Sequence, residues 1–111
     1  MPHIKAKYGR VLIGRFEFGD DLLNSLNDVC KMEKITLGFI SVIGAVTRAE
    51  LGYYDQAQKR YTNCIVLEKK LEIASCTGNI SFKDKEIFVH AHISLADHDG
   101  TAYGGHLMPG S

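Results

Sequence analysis

The sequence predicts an α+β protein in which one main helix packs on a central, mostly antiparallel and strongly curved β-sheet. Two observations favour this class. Only the segment Leu22–Cys30 has apolar residues at helical spacing, and a series of β-rich stretches separated by polar turns follows it. A length of 111 residues with 45% hydrophobic residues suits one domain spanning residues 1–111.

The first two elements are read from residues 8 to 33. Tyr8–Phe18 is rich in β-branched and aromatic residues, so we expect a strand that ends at Gly19. Asp20 or Asp21 is a suitable N-cap, because a short carboxylate can accept hydrogen bonds from the first-turn N–H groups. The helix is expected to run to about Glu33. Its buried stripe comprises Leu22, Leu23, Leu26, Val29 and Cys30.

The rest of the chain reads as strands. Ile35–Val46 is apolar and β-branched, and its two glycines indicate bends or close backbone approach rather than helix. We expect further strands at residues 49–54, 61–67, 71–77, 86–95 and 101–107. The strand at 71–77 is expected to break at Gly78-Asn79, and the tripeptide Lys83-Asp84-Lys85 is expected to form a turn.

Composition restricts the function classes. Lys+Arg and Asp+Glu are both 13, so the formal net charge is zero, whereas duplex-DNA binders concentrate cationic charge to neutralise phosphates. The three cysteines, Cys30, Cys64 and Cys76, are odd in number and lack metal-type spacing, which indicates buried or half-buried free thiols in a reducing compartment. Residues 1–7 contain no apolar signal region and no stretch is long enough to span a membrane, so we expect a cytoplasmic location without membrane contact.

The histidines are the most informative feature of the sequence. Four of the five fall between positions 90 and 106. His90 and His92 are two apart in a predicted strand, so their side chains share a face. A three-residue loop with Gly100 in the left-handed conformation would place His92 opposite His106. Directly opposed residues share a face, so this register predicts three converging imidazoles, whereas a one-residue slip would turn His106 away.

Three neutral imidazoles suit Zn²⁺, and also Ni²⁺, Co²⁺ or Fe²⁺, and they leave one coordination position open for water or a small ligand. The glycine pair Gly104-Gly105 beside His106 would let a ligand or a neighbouring backbone come close. The alternative is that His-x-His marks two exposed, unrelated histidines. His98, in the turn, is expected to be exposed to solvent, and His3 is expected to have no role.

Several stretches, in this order and at this spacing, resemble the plants-and-prokaryotes conserved (PPC) domain family across nearly the whole chain. They are Ile43-Gly44-Ala45, Leu51-Gly52-Tyr53-Tyr54-Asp55, Leu71-Glu72-Ile73 leading to Gly78-Asn79-Ile80-Ser81, Val89-His90-Ala91-His92, and Gly104-Gly105-His106-Leu107.

The resemblance implies a central antiparallel sheet, a homotrimer, and a metal held at the positions of His90, His92 and His106. The implied fold is also similar to that of acetolactate decarboxylase, a lyase with a His-x-His and a more distant His on zinc. Members of the family usually continue into a further strand beyond the segment that matches Pro109-Gly110-Ser111; if that strand is absent here, we expect one sheet edge or one subunit contact to be missing.

Three functional hypotheses remain open. The first is an oligomeric binding or regulatory module with a metal, and a small ligand, at the three histidines. The second is a metal-dependent enzyme, lyase-like and acting on a small oxo- or hydroxy-acid, whose candidate acids and bases are Glu72, Asp97, Tyr103 and Tyr54. The third is nucleic-acid binding, which the charge does not support.

Nucleic-acid binding would need clustering of five cations: Arg10, Arg15, Arg48, Lys59 and Arg60. The plant relatives carry AT-hooks, short Arg-Gly-Arg-type segments that enter the DNA minor groove. The nearest approximation here is Gly14-Arg15, which lies inside a predicted strand. A role inferred from the plant proteins therefore reduces to self-association and protein partner binding.

Overall fold

A computed structural model describes the backbone of residues 1–111 and all side chains other than that of Asn63. In this part of the chain one helix precedes six strands. The elements are α1 (Leu22–Met32), β1 (Gly38–Val46), β2 (Ala49–Asp55), β3 (Arg60–Leu67), β4 (Leu71–Lys83), β5 (Glu86–Ala96) and β6 (Ala102–Leu107). This order confirms the predicted α+β class.

The six strands form one sheet in the order β1-β4-β5-β6-β2-β3, and all neighbouring strands are antiparallel. Because β1 and β3 lie at the two ends of this order, the sheet is not closed. Its register shifts at three places, between Val42 and Gly44, between Leu51 and Tyr53, and between Ile73 and Ser75. Such irregularities bend strands and increase their twist, which accounts for a curved sheet.

Helix α1 begins where the sequence predicts and packs on β5. The Asp21 carboxylate accepts a hydrogen bond from the Asn24 N–H at 2.9 Å, so Asp21 is the N-cap. Farther along the helix, the Asn27 side-chain oxygen accepts a hydrogen bond from the Val89 N–H of β5 at 3.2 Å. The helix therefore holds the strand that carries two of the histidines.

The core lies between α1 and one face of the sheet. In β5 the side chains of Val89, Ala91, Ile93 and Leu95 are buried against this core. The intervening positions, which include His90 and His92, project from the opposite face because side chains alternate along a strand. The helix, on the core side, therefore leaves the histidine face uncovered.

The predicted strand at Tyr8–Phe18 is wrong. This segment has no strand partner, and the side chains of Tyr8 and Ile13 are almost fully exposed. β-propensity describes how well a residue fits a pleated, half-buried surface, so it forms no strand where no neighbouring ladder exists. The segment is attached instead through Arg10, which donates hydrogen bonds to the carboxylate and the carbonyl of Glu33.

The predicted break at Gly78-Asn79 is also wrong, because β4 continues through both residues to Lys83. A Cβ atom at position 78 would overlap the carbonyl oxygen of His90 and lie 2.8 Å from the Cα of Ala91. Gly78 therefore permits close approach of two strands, a role that glycine has in sheets as well as in turns.

The helix α1, at 11 residues, is too short to cross a bilayer, and no helix in the described part of the chain meets the length and apolarity of a membrane span.

Candidate metal centre

The β5–β6 hairpin brings the three histidines together. Asp97 N–H donates to the Thr101 carbonyl at 3.0 Å, and Gly100 adopts the left-handed conformation with φ of 79°. Counting back from this turn, His92 pairs directly with His106. The register predicted from the sequence is confirmed.

The three imidazoles converge on one point. Nε2 of His90 lies 3.2 Å from Nε2 of His92, and one ring nitrogen from each of the three histidines lies within 4.8 Å of the others. Zinc–nitrogen bonds of about 2.0–2.1 Å in a tetrahedral site imply ligand nitrogens roughly 3.3 Å apart. The His90–His92 pair has this spacing, and the His106 ring centroid lies 4.9 Å from that of His90.

Burial keeps two of the imidazoles neutral. Desolvation, with smaller contributions from His90 and His92, lowers the pKa of His106 to about 4. The pKa of His90 is also lowered, first by desolvation, then by His92 and by the ammonium group of Lys83. Neutral imidazole is the form that binds a metal, so these two ligands need lose no proton near neutral pH.

His106 is held by an aromatic neighbour. The ring of Tyr61, in β3, stacks on the His106 ring with a centroid distance of 4.2 Å, and Tyr54 packs edge-on against Tyr61 at 5.2 Å. Among the described side chains, the Nδ1 atom of His106 is buried without a hydrogen-bond partner. A buried nitrogen without a hydrogen-bond partner is costly.

Tyr61, the three histidines and Phe88 form a row of rings, and Phe88 and Lys83 lie at the end of the row opposite Tyr61. The Phe88 ring centroid lies 6.3 Å from that of His90, and the Lys83 ammonium lies 5.0 Å from the Phe88 centroid. Asn79 pairs with His90 and Ser81 pairs with Phe88, so both project from the same face. The surface between Lys83 and the histidines is therefore polar as well as aromatic.

The candidate acids and bases are spread over the molecule. Asp97 and Tyr103 both bind the Lys69 ammonium, at 3.1 and 2.8 Å, beyond the turn end of β5. Glu72 pairs with Ala96, at the opposite end of β5 from His90. Of the four candidates, only Tyr54 is linked to the centre, because its ring packs against that of Tyr61, which stacks on His106.

The thiols and the cations also take no part in the centre. Cys30, Cys64 and Cys76 are all free, as predicted, but the expected burial is wrong for Cys64, which is exposed. Cys76 lies on the core face, where burial raises the pKa of its thiol. Arg10, Arg15 and Arg48 each form an ion pair with a glutamate, which disperses the cations that DNA binding would need to cluster.

Sequence reasoning missed Tyr61, Phe88 and Lys83 as neighbours of the centre. A signal existed for Phe88, because it is two residues from His90 in the same strand. Tyr61 has no comparable local signal, since β2 and β6 become neighbours only through the topology of the sheet.

Comparison with known proteins agrees with this geometry. Three solved structures resemble the chain closely. A metal-containing protein from Archaeoglobus fulgidus is 38% identical with a TM-score of 0.78. A plant- and prokaryote-conserved protein from Pyrococcus horikoshii is 36% identical with a TM-score of 0.80. Each comparison covers 94% of this chain and 76% of the other.

The third structure, from Bacteroides thetaiotaomicron, is of a protein for which DNA binding has been proposed. It is 31% identical with a TM-score of 0.75, over 80% of this chain and 62% of that one. Among curated proteins, the bifunctional protein GlmU of a Synechococcus strain is 32% identical over 93 residues, or 83% of this chain. The chain spans 14% of the length of that relative.

The family assignment follows from a match to a family model as well as from these structures. The model of the Plants and Prokaryotes Conserved domain, abbreviated PCC or PPC, matches residues 3–111. The chain therefore belongs to the Plants and Prokaryotes Conserved domain family.

Proposed function

We propose that this protein is an oligomeric binding module that holds a divalent transition metal, zinc as the first candidate, at His90, His92 and His106. The observation that carries the proposal is the convergence of three imidazole nitrogens within 4.8 Å. The description of the Archaeoglobus fulgidus relative as metal-containing supports it. Three protein ligands leave a coordination position for a small ligand.

A binding role is favoured over catalysis. When bound, the metal would polarise a carbonyl or carboxylate oxygen or acidify a bound water. A lyase reaction like that of acetolactate decarboxylase would also need a general acid or base at the centre. Among the described side chains, no carboxylate hydrogen-bonds to the three imidazoles, and Asp97 is occupied by Lys69.

Nucleic-acid binding is the second candidate function. It is favoured by the proposed DNA-binding role of the Bacteroides thetaiotaomicron and Ralstonia eutropha relatives. A net charge of zero and the pairing of arginines with glutamates count against it. We place the protein in the cytoplasm, because its three cysteines are free thiols.

Self-association into a homotrimer completes the proposal. Phe39 of β1 pairs with Asn79, which in turn pairs with His90, so an apolar side chain projects from the histidine face. Phe39 is 67% exposed and Ile43, in the same strand, is 83% exposed. Exposed apolar side chains grouped on one face are typical of protein–protein contact surfaces.

The test of the metal site is elemental analysis of the purified protein and of two double variants. We expect about one transition-metal ion per chain in the native protein, because one set of three imidazoles suits one ion. The His90→Ala/His92→Ala variant should fall to trace, because a single histidine does not hold the ion.

The matched control is His3→Ala/His98→Ala, which removes two histidines outside the centre and should keep the full metal content. Trace metal in the native protein, or equal loss in both variants, would contradict the proposal.

A further inference from the structure

The row of rings beside the metal centre ends in a cation that has no carboxylate partner within ion-pair distance among the described residues. Lys83, in β4, is paired in the ladder with Glu86 of β5, yet its ammonium forms no ion pair there and lies over the Phe88 ring. A cation over an aromatic face is attracted by the ring quadrupole, which gives the flexible lysine side chain a preferred direction. The same Phe88 ring has its centroid 6.3 Å from that of His90.

Glu86 lies directly opposite Lys83 in the ladder, so its carboxylate is a neighbouring negative charge on this face. Glu50, on the strand that pairs with β6, is held by Arg48. Three neutral imidazoles contribute no charge, so a bound divalent metal would give the centre two positive charges, and Lys83 would add a third nearby. The Lys83 ammonium lies 5.0 Å from the Phe88 ring centroid, which is 6.3 Å from that of His90. Such a surface favours anions.

The surface between the two positive groups offers hydrogen-bond partners. Asn79 pairs with His90 and Ser81 pairs with Phe88, so the amide and the hydroxyl project between the metal centre and Lys83. Both groups can donate to ligand oxygens. A ligand spanning this surface would carry one anionic group at the metal and a second anionic group at the ammonium.

We propose that the ligand of the centre is a small dicarboxylate, and that Lys83 binds the carboxylate that the metal does not. This inference rests on the proposed metal site, and it assigns a ligand-binding role to a residue outside the three histidines.

The test uses the full chain loaded with Co²⁺, whose visible absorption reports changes in coordination. Succinate and, separately, butyrate, which has the same carbon chain and one carboxylate fewer, are titrated into the native protein, the Lys83→Gln variant and a Lys85→Gln control. Lys85 lies in the adjoining turn and makes no contact with the ring row. Cobalt content per chain is measured in each sample.

In the native protein we expect succinate to shift the cobalt bands with a Kd about tenfold lower than that of butyrate, the scale of one charge-assisted hydrogen bond. Lys83→Gln should remove that preference while leaving cobalt content and butyrate affinity unchanged, and Lys85→Gln should behave as the native protein. If Lys83→Gln and Lys85→Gln prefer succinate over butyrate equally, or if the native protein shows no such preference, the dicarboxylate inference is overturned. The proposed metal site is unaffected by these two outcomes. Failure of the native protein to take up cobalt would overturn the proposed metal site as well.

Discussion

His106 differs from the other two histidines of the centre in its surroundings. Its ring lies under Tyr61, and its Nδ1 atom is buried without a partner among the side chains that the structure describes. Desolvation explains why its pKa is about 4 rather than the ordinary 6.5. The residue that completes the centre is thus kept neutral by its position between two strands, before any metal binds.

The stability of the metal-free protein should fall on acidification because of this residue. The folded pKa lies below the unfolded one, so between pH 6.5 and about pH 4 the unfolded chain binds the extra proton and is favoured. The contribution of His106 to the free energy of unfolding is constant above pH 6.5 and is lost as the pH falls through this window. Urea unfolding of the metal-free protein across the window measures it.

The matched variant for this experiment is His106→Gln, which has no titrating ring. Its urea midpoint should depend less on pH than that of the native chain. An identical pH dependence in the two proteins would contradict the assignment to His106.

At the scale of elements, the position of His90 depends on how closely β4 and β5 approach. Gly78 pairs with Ala91, and the absence of a Cβ at position 78 leaves room for the carbonyl oxygen of His90. The neighbouring pair, Asn79 with His90, has its side chains on the histidine face. Strand contact on one face therefore sets the position of His90, a proposed metal ligand, on the other.

Gly78→Ala should destabilise the fold by about 1–3 kcal/mol, because the new methyl group forces the two strands apart. It should also weaken metal binding, since the backbone of His90 must move. Chemical denaturation and a zinc titration measure the two effects. Gly14→Ala is the matched control, because a Cβ at Gly14 meets no atom within 4 Å. Equal midpoints and zinc affinities for the two variants would contradict this account.

At the scale of the whole molecule, the sheet has a covered face and an uncovered face. Helix α1 covers the core side, whereas the histidine side carries the exposed apolar residues Phe39 and Ile43. The centre also lies on the uncovered side. Self-association through this face would bury the apolar residues and reduce the access of solvent to the metal centre.

Light scattering should therefore give about three times the chain mass of 12.3 kDa. Ile43→Lys should shift the mass toward that of one chain, because a lysine charge is costly to bury in an interface. Ile4→Lys, which changes an exposed isoleucine in the irregular N-terminal segment, should leave the mass unchanged. A native mass of one chain would contradict the trimer, and a trimer that survives Ile43→Lys would contradict the choice of face.

The amino-acid sequence by itself determined the elements whose signals are local. Helix α1 follows from the Asp21 cap and an apolar stripe at helical spacing, and both are properties of a few adjacent residues. The histidine centre was predictable for the same reason. The three-residue loop ending in Gly100 sets the register of a hairpin, and that register alone places His92 beside His106.

The tertiary structure decided what depends on partners distant in sequence. Tyr8–Phe18 has strand-forming residues but no neighbouring strand, so its propensity produces no strand. Gly78 lies within strand β4 because strand β5 packs closely against it. The residues next to Gly78 in the sequence do not reveal this contact. The stack of Tyr61 on His106 likewise requires β2 to lie beside β6. Local signals act within a turn or a hairpin, whereas the order of strands in a sheet is set by which faces can be buried together.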